Sequence, residues 1–386
     1  MKDLRLLWRW TATAGAVVLL ALAVAACGGD DSSSGTTAAA TEAETSESSG
    51  SGGDLVAEAQ KTVEEAEVIP AEISSAPYGS FKPKADQTIF FASCELAIEG
   101  CSNMVEGAKE AVKPLGYKLE VCAANGSDPE SGQKCLDQAV AVKPDAILYL
   151  GLEQLADAWY PKAKAAGIPV VGMFAGPKKG AADVQVAGGE LAAVQARNMS
   201  AYLIASTEGK AHALIPWAAG YDSVIQKKDV IEEELAKCAE CSTTDLEFDP
   251  VKVQEGFAQQ VTSALQTDSE LNIVAGTFSV PAAFAVPAVR ELGRPDVQVT
   301  AFDGTAPNLE LLREGDILKA DDGNGSREPG WTAIDIAARL IVGEKVPFDV
   351  PVQTLLMTTK NIGELPEGFR GADNFEQQYE ELWGLR

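Results

Sequence analysis

Apolar residues along this chain recur with two periods that take turns. Short runs read as buried strands: Thr88–Ala92, Lys118–Val121, Ala146–Leu150, Pro169–Phe174, Ala211–Ile215, Asn272–Ala275, Val297–Phe302 and Val352–Met357. Between them, segments such as Met104–Val112, Cys135–Val142, Leu155–Ala166, Leu191–Ile204, Val224–Leu235, Val253–Leu265, Ala282–Leu292 and Ala333–Val342 carry apolar residues at helical spacing. Strands alternating with helices imply parallel sheets, right-handed crossovers and helices on both faces. A Gly/Pro/Lys-rich stretch at 176–188 interrupts the alternation after the fourth strand. The expected fold class is therefore α/β, with two doubly wound parallel-sheet lobes. Open sheets of this kind bind ligands outside the carboxyl ends of their strands, so the cleft between lobes is the expected site.

Ahead of this body the pattern is different. The uncharged stretch Trp10–Ala26 follows Lys2, Arg5 and Arg9 and ends Val24-Ala25-Ala26-Cys27. A basic start, an apolar centre and small residues at the end make a secretory signal. The stretch is short for the roughly 20 residues that span a bilayer. Small residues before Cys27 resemble the lipobox of bacterial lipoproteins, which implies a signal over 1–26 and a lipid on Cys27 that holds the protein to the outer face of the cell membrane. Residues 28–53 are almost wholly Gly, Ser, Thr, Ala, Asp and Glu, too polar to offset the entropy of ordering. Leu55–Ile69 has the spacing of a short amphipathic helix, and Pro70, Pro77 and Pro83 then break the chain. The expectation is a flexible tether over 27–84 and a compact body beginning near Gln87.

Charge and cysteines fit an exported protein. With 57 acidic and 31 basic residues, a formal charge of −26 and a pI near 4.4, the chain is a poor partner for nucleic acid or anionic lipid. Beyond Cys27 there are six cysteines, an even number that in an exported chain reads as disulfides. Local pairing is the economical arrangement: Cys94 with Cys101, Cys122 with Cys135, Cys238 with Cys241. A redox pair at Cys238 and a zinc site are the competing readings. Cys238 follows the acidic run Glu232-Glu233-Glu234, which disfavours a thiolate, and no second cysteine pair has finger-like spacing. No metal and no cofactor is expected.

Several segments in order carry a resemblance. Met104–Tyr117 (MVEGAKEAVKPLGY), Lys143–Leu150 (KPDAILYL), Ala165–Val171 (AAGIPVV), Val299–Gly304 (VTAFDG), Leu309–Gly315 (LELLREG) and 330–343 are similar to type I periplasmic binding proteins of the ribose and galactose kind. Phe375–Trp383 (FEQQYEELW) resembles the terminal helix of many lipoprotein members. The resemblance implies three hinge crossings, with an N-terminal lobe over 85–185 and 325–350, a C-terminal lobe over 186–324 and 351–363, and a C-terminal helix over 364–386. It also implies a monomer that captures a small sugar-like molecule and delivers it to an ABC permease. The chain has neither G-x-x-x-x-G-K-[ST] nor a helix-opening G-x-G-x-x-G, so the ATPase would be a separate polypeptide. Signalling to a membrane receptor is an alternative with the same fold.

An enzyme is the rival class. His212 is the single histidine, placed within an apolar strand, and no G-x-S-x-G is present. The pair Asp321-Asp322 has the residue types of a glycosidase, but neighbours on a strand point to opposite faces.

For the site, the resemblance places Asp303, the end of VTAFDG, where the family accepts sugar hydroxyls, and Asn324 at a hinge position that also bonds ligand. Other family positions differ. Phe174 ends the fourth strand in place of an aspartate, Phe278-Ser279 stand for an asparagine–aspartate pair, Gln226-Lys227 fall where an arginine is expected, and Gly100-Cys101 replace an aromatic pair. The expected ligand set is Asp303 and Asn324 on the polar side, Phe174, Trp217, Phe278 and Tyr221 on the apolar side, and Glu95 after the first strand. These departures point to a solute less polar than an unmodified sugar, or to aromatics that pack between lobes and touch no ligand.

Overall fold

The computed structural model describes residues 52–125, 128, 130–174, 180–219 and 221–386. The signal segment, Cys27 and the tether as far as residue 51 lie outside the described residues. The chain enters through helix α1 (Gly52–Ala66) and then builds the first lobe in βα units. These are β1 (Thr88–Ser93), α2 (Glu99–Leu115), β2 (Lys118–Ala123), α3 (Ser131–Val142), β3 (Ala146–Leu150), α4 (Glu153–Ala165), β4 (Val170–Met173) and β5 (Val184–Val186). Helix α5 (Gly189–Ser206) opens the second lobe. It continues through β6 (His212–Trp217), α6 (Asp222–Leu235), β7 (Ser242–Glu247), α7 (Val253–Thr267), β8 (Ile273–Ala275), α8 (Ser279–Leu292), β9 (Gln298–Phe302), α9 (Ala306–Glu314) and β10 (Leu318–Asn324). Helix α10 (Glu328–Ile341) and β11 (Asp349–Val350) return to the first lobe, β12 (Thr354–Thr358) to the second, and α11 (Phe375–Leu382) packs on α10.

Each lobe is a six-stranded sheet between helices. The first runs β11-β5-β4-β3-β1-β2, all parallel; the second runs β12-β10-β9-β8-β6-β7, parallel except for the β10–β12 pair. Strands buried on both faces explain the unbroken apolar runs Ile89–Ala92 and Ala146–Tyr149, each fully buried. Four strands escape the sequence pattern. β7 (STTDLE) is a polar edge strand, β10 (LKADDGN) buries two aspartates, and β5 and β11 are very short. Because β5 pairs with β4, the expected lobe boundary at 185–186 falls inside a strand; the chain leaves the first lobe after Ala187, whose N–H donates to Val350 O.

Residues 52–81, expected to lie outside the compact body, are bound to both lobes. Ala59 and Val63 of α1 are buried in the core that α5 shares with β6 and β8. Glu67 accepts Thr358 Oγ1 at 2.6 Å, and Asn361 Nδ2 donates to Glu67 O. Farther on, Ser74 donates through N and Oγ to buried Glu328, while Arg339 donates to the carbonyls of Tyr78 and Gly79. The helical spacing of this segment was readable; whether its apolar face had a partner was not.

Two features set the rim of the cleft. Helices α2 and α10 cross at glycines: a Cβ on Gly330 would lie 2.5 Å from both Ala108 N and Met104 O, and one on Gly107 would collide with Arg327 O. This close approach holds the first turn of α2 at the mouth of the cleft. In the second lobe, Asp321 on β10 accepts Gly304 N at 2.8 Å and fixes the turn after β9. Its neighbour Asp322 points to the other face, where Asn198 Nδ2 donates at 3.0 Å. Both carboxyls are fully buried, and desolvation pushes each up to about 7.

Two predictions follow from these contacts. Gly330→Ala forces the helices apart and should lower stability by about 1–3 kcal/mol, read as a shift in denaturant midpoint with unchanged slope. For Asp321 and Asp322 the folded state holds more protons than the unfolded chain between the ordinary value of 3.8 and about 7. Their contribution is therefore greatest below that window, declines as pH rises through it, and is level above it. Asp322→Asn keeps an acceptor for Asn198 and removes the ionisation, so it should raise the melting temperature more at pH 8 than at pH 5; an equal change at both values contradicts the assignment.

Candidate functional site

The carboxyl ends of β1, β3 and β4 face those of β9 and β10 across the cleft, and two cavities occupy it. One, of about 520 Å³, lies between the first turns of α2 and α8; the other, of about 670 Å³, lies between the first turns of α4 and α6 and the loop before α5. Phe174, Asp303 and Asn324 line both, so the cavities meet at these three residues. Phe174 and Asp303 stand immediately after β4 and β9, each with a left-handed backbone, at φ 54° and 83°. Such conformations are costly for non-glycine residues and turn the side chain sharply out of the sheet.

Asp303 is held from two sides. Ser279 N donates to Oδ2 at 3.0 Å, and Lys227 Nζ lies 3.6 Å from Oδ1. Lys227, only 7% exposed at its side chain, also sits 4.2 Å above the ring centre of Phe302. A lysine this deeply placed requires a counter-charge, and Asp303 supplies it. The replacement of the family arginine by Gln226-Lys227 thus leaves a cation in the site, where the sequence had suggested that charge was lost.

The remaining expected residues separate. Tyr221, at the start of α6, is 54% exposed and lines the larger cavity. Phe278 turns into the second lobe, stacked on Phe248 with centroids 5.9 Å apart, and lines neither cavity. Trp217 also lines neither; its ring lies beneath Lys228 at 5.6 Å. An aromatic ring buries more apolar area against its own lobe than at the rim of an open cleft, which accounts for both placements. Glu95 lies half-buried in the turn after β1, where its carbonyl accepts Ile98 N, outside both linings.

Residues outside the expected ligand set complete the walls. Gln154, Ser223 and Gln226 line the larger cavity, and Ile98, Met104, Leu150, Val280 and Ala283 line the smaller. The available signal was position: Leu150 ends β3, and the others stand at or within the first turns of a helix that follows a strand's carboxyl end. Glu99 reaches across the cleft, accepting Ala306 N at 3.1 Å at the start of α9, where a negative charge meets the helix dipole.

The six cysteines among the described residues all lie in bridges. Cys94–Cys101 ties the end of β1 to α2 beside the smaller cavity, Cys122–Cys135 joins β2 to α3, and Cys238–Cys241 closes the turn before β7. His212 stands at the amino end of β6, remote from the cleft, with Nδ1 2.7 Å from Ser242 Oγ.

The architecture is shared with known structures. An ABC sugar transporter subunit from Rhodobacter sphaeroides superposes with a TM-score of 0.62 at 19% identity, covering 71% of this chain and 99% of that one. A periplasmic ribose ABC transporter protein from Conexibacter woesei gives 0.64 at 17% identity, covering 74% and 96%. An ABC transporter solute-binding protein from Agrobacterium vitis bound with α-D-tagatopyranose gives 0.63 at 19%, covering 75% and 100%. Identities this low are similarity of fold. Curated protein sequences gave no match. The family model of the periplasmic binding protein domain matches residues 89–345, two-thirds of the chain, and the chain belongs to that family.

Proposed function

We propose that this protein is the solute-binding subunit of an ABC importer, tethered outside the cell membrane by a lipid on Cys27, and that it captures a small, neutral, sugar-like solute. The observation that carries the reading is the convergence of Asp303, Asn324 and Phe174 where the carboxyl ends of both sheets meet across the cleft. Similar folds are described as binding a tagatopyranose, allitol and myo-inositol, which supports a polyhydroxylated ligand. Lys227 balances Asp303, so the site favours a neutral solute over an ion. Asp303 accepts solute hydroxyls, Asn324 supplies a donor and an acceptor, and Phe174 offers a flat apolar face. Glu99 closes the mouth through Ala306. The permease and the ATPase are separate chains, and the binding subunit acts as a monomer.

Asp303→Ala removes the shared acceptor and leaves Lys227 buried without its partner. It should weaken binding of the best solute from a thermal-shift screen of sugars and polyols by about 2–4 kcal/mol, measured by calorimetry. Unchanged affinity would mean that the cleft acts through other groups. Cys27→Ser should move the protein from the membrane pellet to the soluble fraction, since a single apolar segment of this length is a poor anchor once the lipid is gone.

A further inference from the structure

The two cavities differ in the character of the side chains that line them. In the smaller one, three of the polar side chains at the wall are engaged within the protein. Asn308 donates to Ser279 O and Asp321, Asn103 accepts from Arg327 at 2.8 Å, and Glu99 accepts from Ala306. The apolar part of the wall is formed by Ile98, Met104 and Leu150 from the first lobe and Val280 and Ala283 from the second, with the small hydroxyls of Ser279, Thr305 and Ser326 between them. Ile98 is 55% exposed at the N-cap of α2, a position where isoleucine does nothing for the helix and a short polar residue would cap it. An exposed isoleucine there, opposite Val280 and Ala283, makes an apolar surface whose covering is favourable only when something apolar enters.

The larger cavity is the reverse. Gln154, Ser223 and Gln226 make no side-chain hydrogen bond to any described residue, so their donors and acceptors remain for a ligand. Unused hydrogen-bonding capacity on one side of Phe174 and unused apolar surface on the other lie in one continuous space.

We infer that the solute has two parts: a hydroxylated ring bound beside Gln226 and Lys227, and an apolar aryl or alkyl substituent that passes Phe174 into the pocket formed by Ile98, Met104, Val280 and Ala283. The ligand class is thus a glycoside or similarly substituted polyol, not a free monosaccharide. This rests on the function proposed above and specifies its substrate.

The test is calorimetry on the full chain carrying Cys27→Ser, with D-glucose, D-galactose and D-ribose and with the methyl and phenyl glycosides of each. The wild type should bind at least one phenyl glycoside ten-fold or more tighter than its parent sugar. Ala283→Asp, at an exposed helix position that leaves the core intact, should reduce that ratio to near one. Gln226→Ala should weaken parent and phenyl glycoside by similar factors. If a parent sugar binds as tightly as its phenyl glycoside, the apolar subsite is wrong and the sugar-binding function stands. If no sugar or glycoside in the set binds, the subsite and the polyol reading fall together.

Discussion

The buried side chains of one helix, α10, gather the entering segment and the C-terminal segment onto the first lobe. Glu328, in its first turn, is 1% exposed and accepts three donors: Ser74 N, Ser74 Oγ and Ala372 N. One carboxylate thereby binds the entering chain and the final return of the chain to the first lobe. Two turns later Asp335 accepts Trp383 Nε1 at 2.7 Å and Arg339 Nε at 2.9 Å, and Arg339 holds the carbonyls of Tyr78 and Gly79. Burying these charges has a large desolvation cost, which lifts the carboxyls of Glu328 and Asp335 above their usual range. The arrangement persists because the donors are satisfied only there: breaking one partner would strand the others in a medium without water.

The consequence for function lies at the other end of the same helix contact. α10 presses on α2 through Gly330 and Gly107, and the first turn of α2 carries the apolar wall of the smaller cavity together with Glu99, which bridges to the second lobe. The hinge strands, the entering segment and the cleft wall are therefore mechanically continuous. On the opposite side, Asp321 performs the matching task by fixing Gly304, so that the strained Asp303 presents its carboxylate to the cleft against Lys227. Two buried acids, Glu328 and Asp321, thus position the groups that line the cleft without lining it themselves.

Family membership makes the cleft the expected seat of a ligand, and the chemistry of this chain narrows what enters. Where the family pattern has charged or aromatic groups, this chain has Phe174, a lysine paired internally, and a disulfide at Cys101. Hydrogen bonds inside the protein occupy Glu99, Asn103 and Asn308 on one wall, whereas Gln154, Ser223 and Gln226 on the other make none to a described residue. Selectivity built this way depends less on the identity of residues than on which of their lone pairs and protons are still available.

That distinction separates what was readable in the sequence from what was not. The period of the apolar residues determined the βα alternation, because a strand covered on both faces and a helix covered on one leave signatures that differ within a few residues. The pairing of cysteines close in the chain and the end of VTAFDG at Asp303 are likewise local. Polar or brief strands such as β7, β10 and β5 were not legible, since their membership depends on the neighbour they pair with. Nor was the docking of 52–81, whose apolar face is ordinary until α5 lies beside it. For the site, residues 174, 303 and 324 are far apart in sequence and share one space only after two sheets face each other. Trp217 and Phe278 turn away because their own lobe offers more apolar contact than the cleft. A side chain's type is written locally, whereas its burial and its remaining hydrogen-bonding capacity are set by packing from distant segments, and those two quantities decide what it can bind.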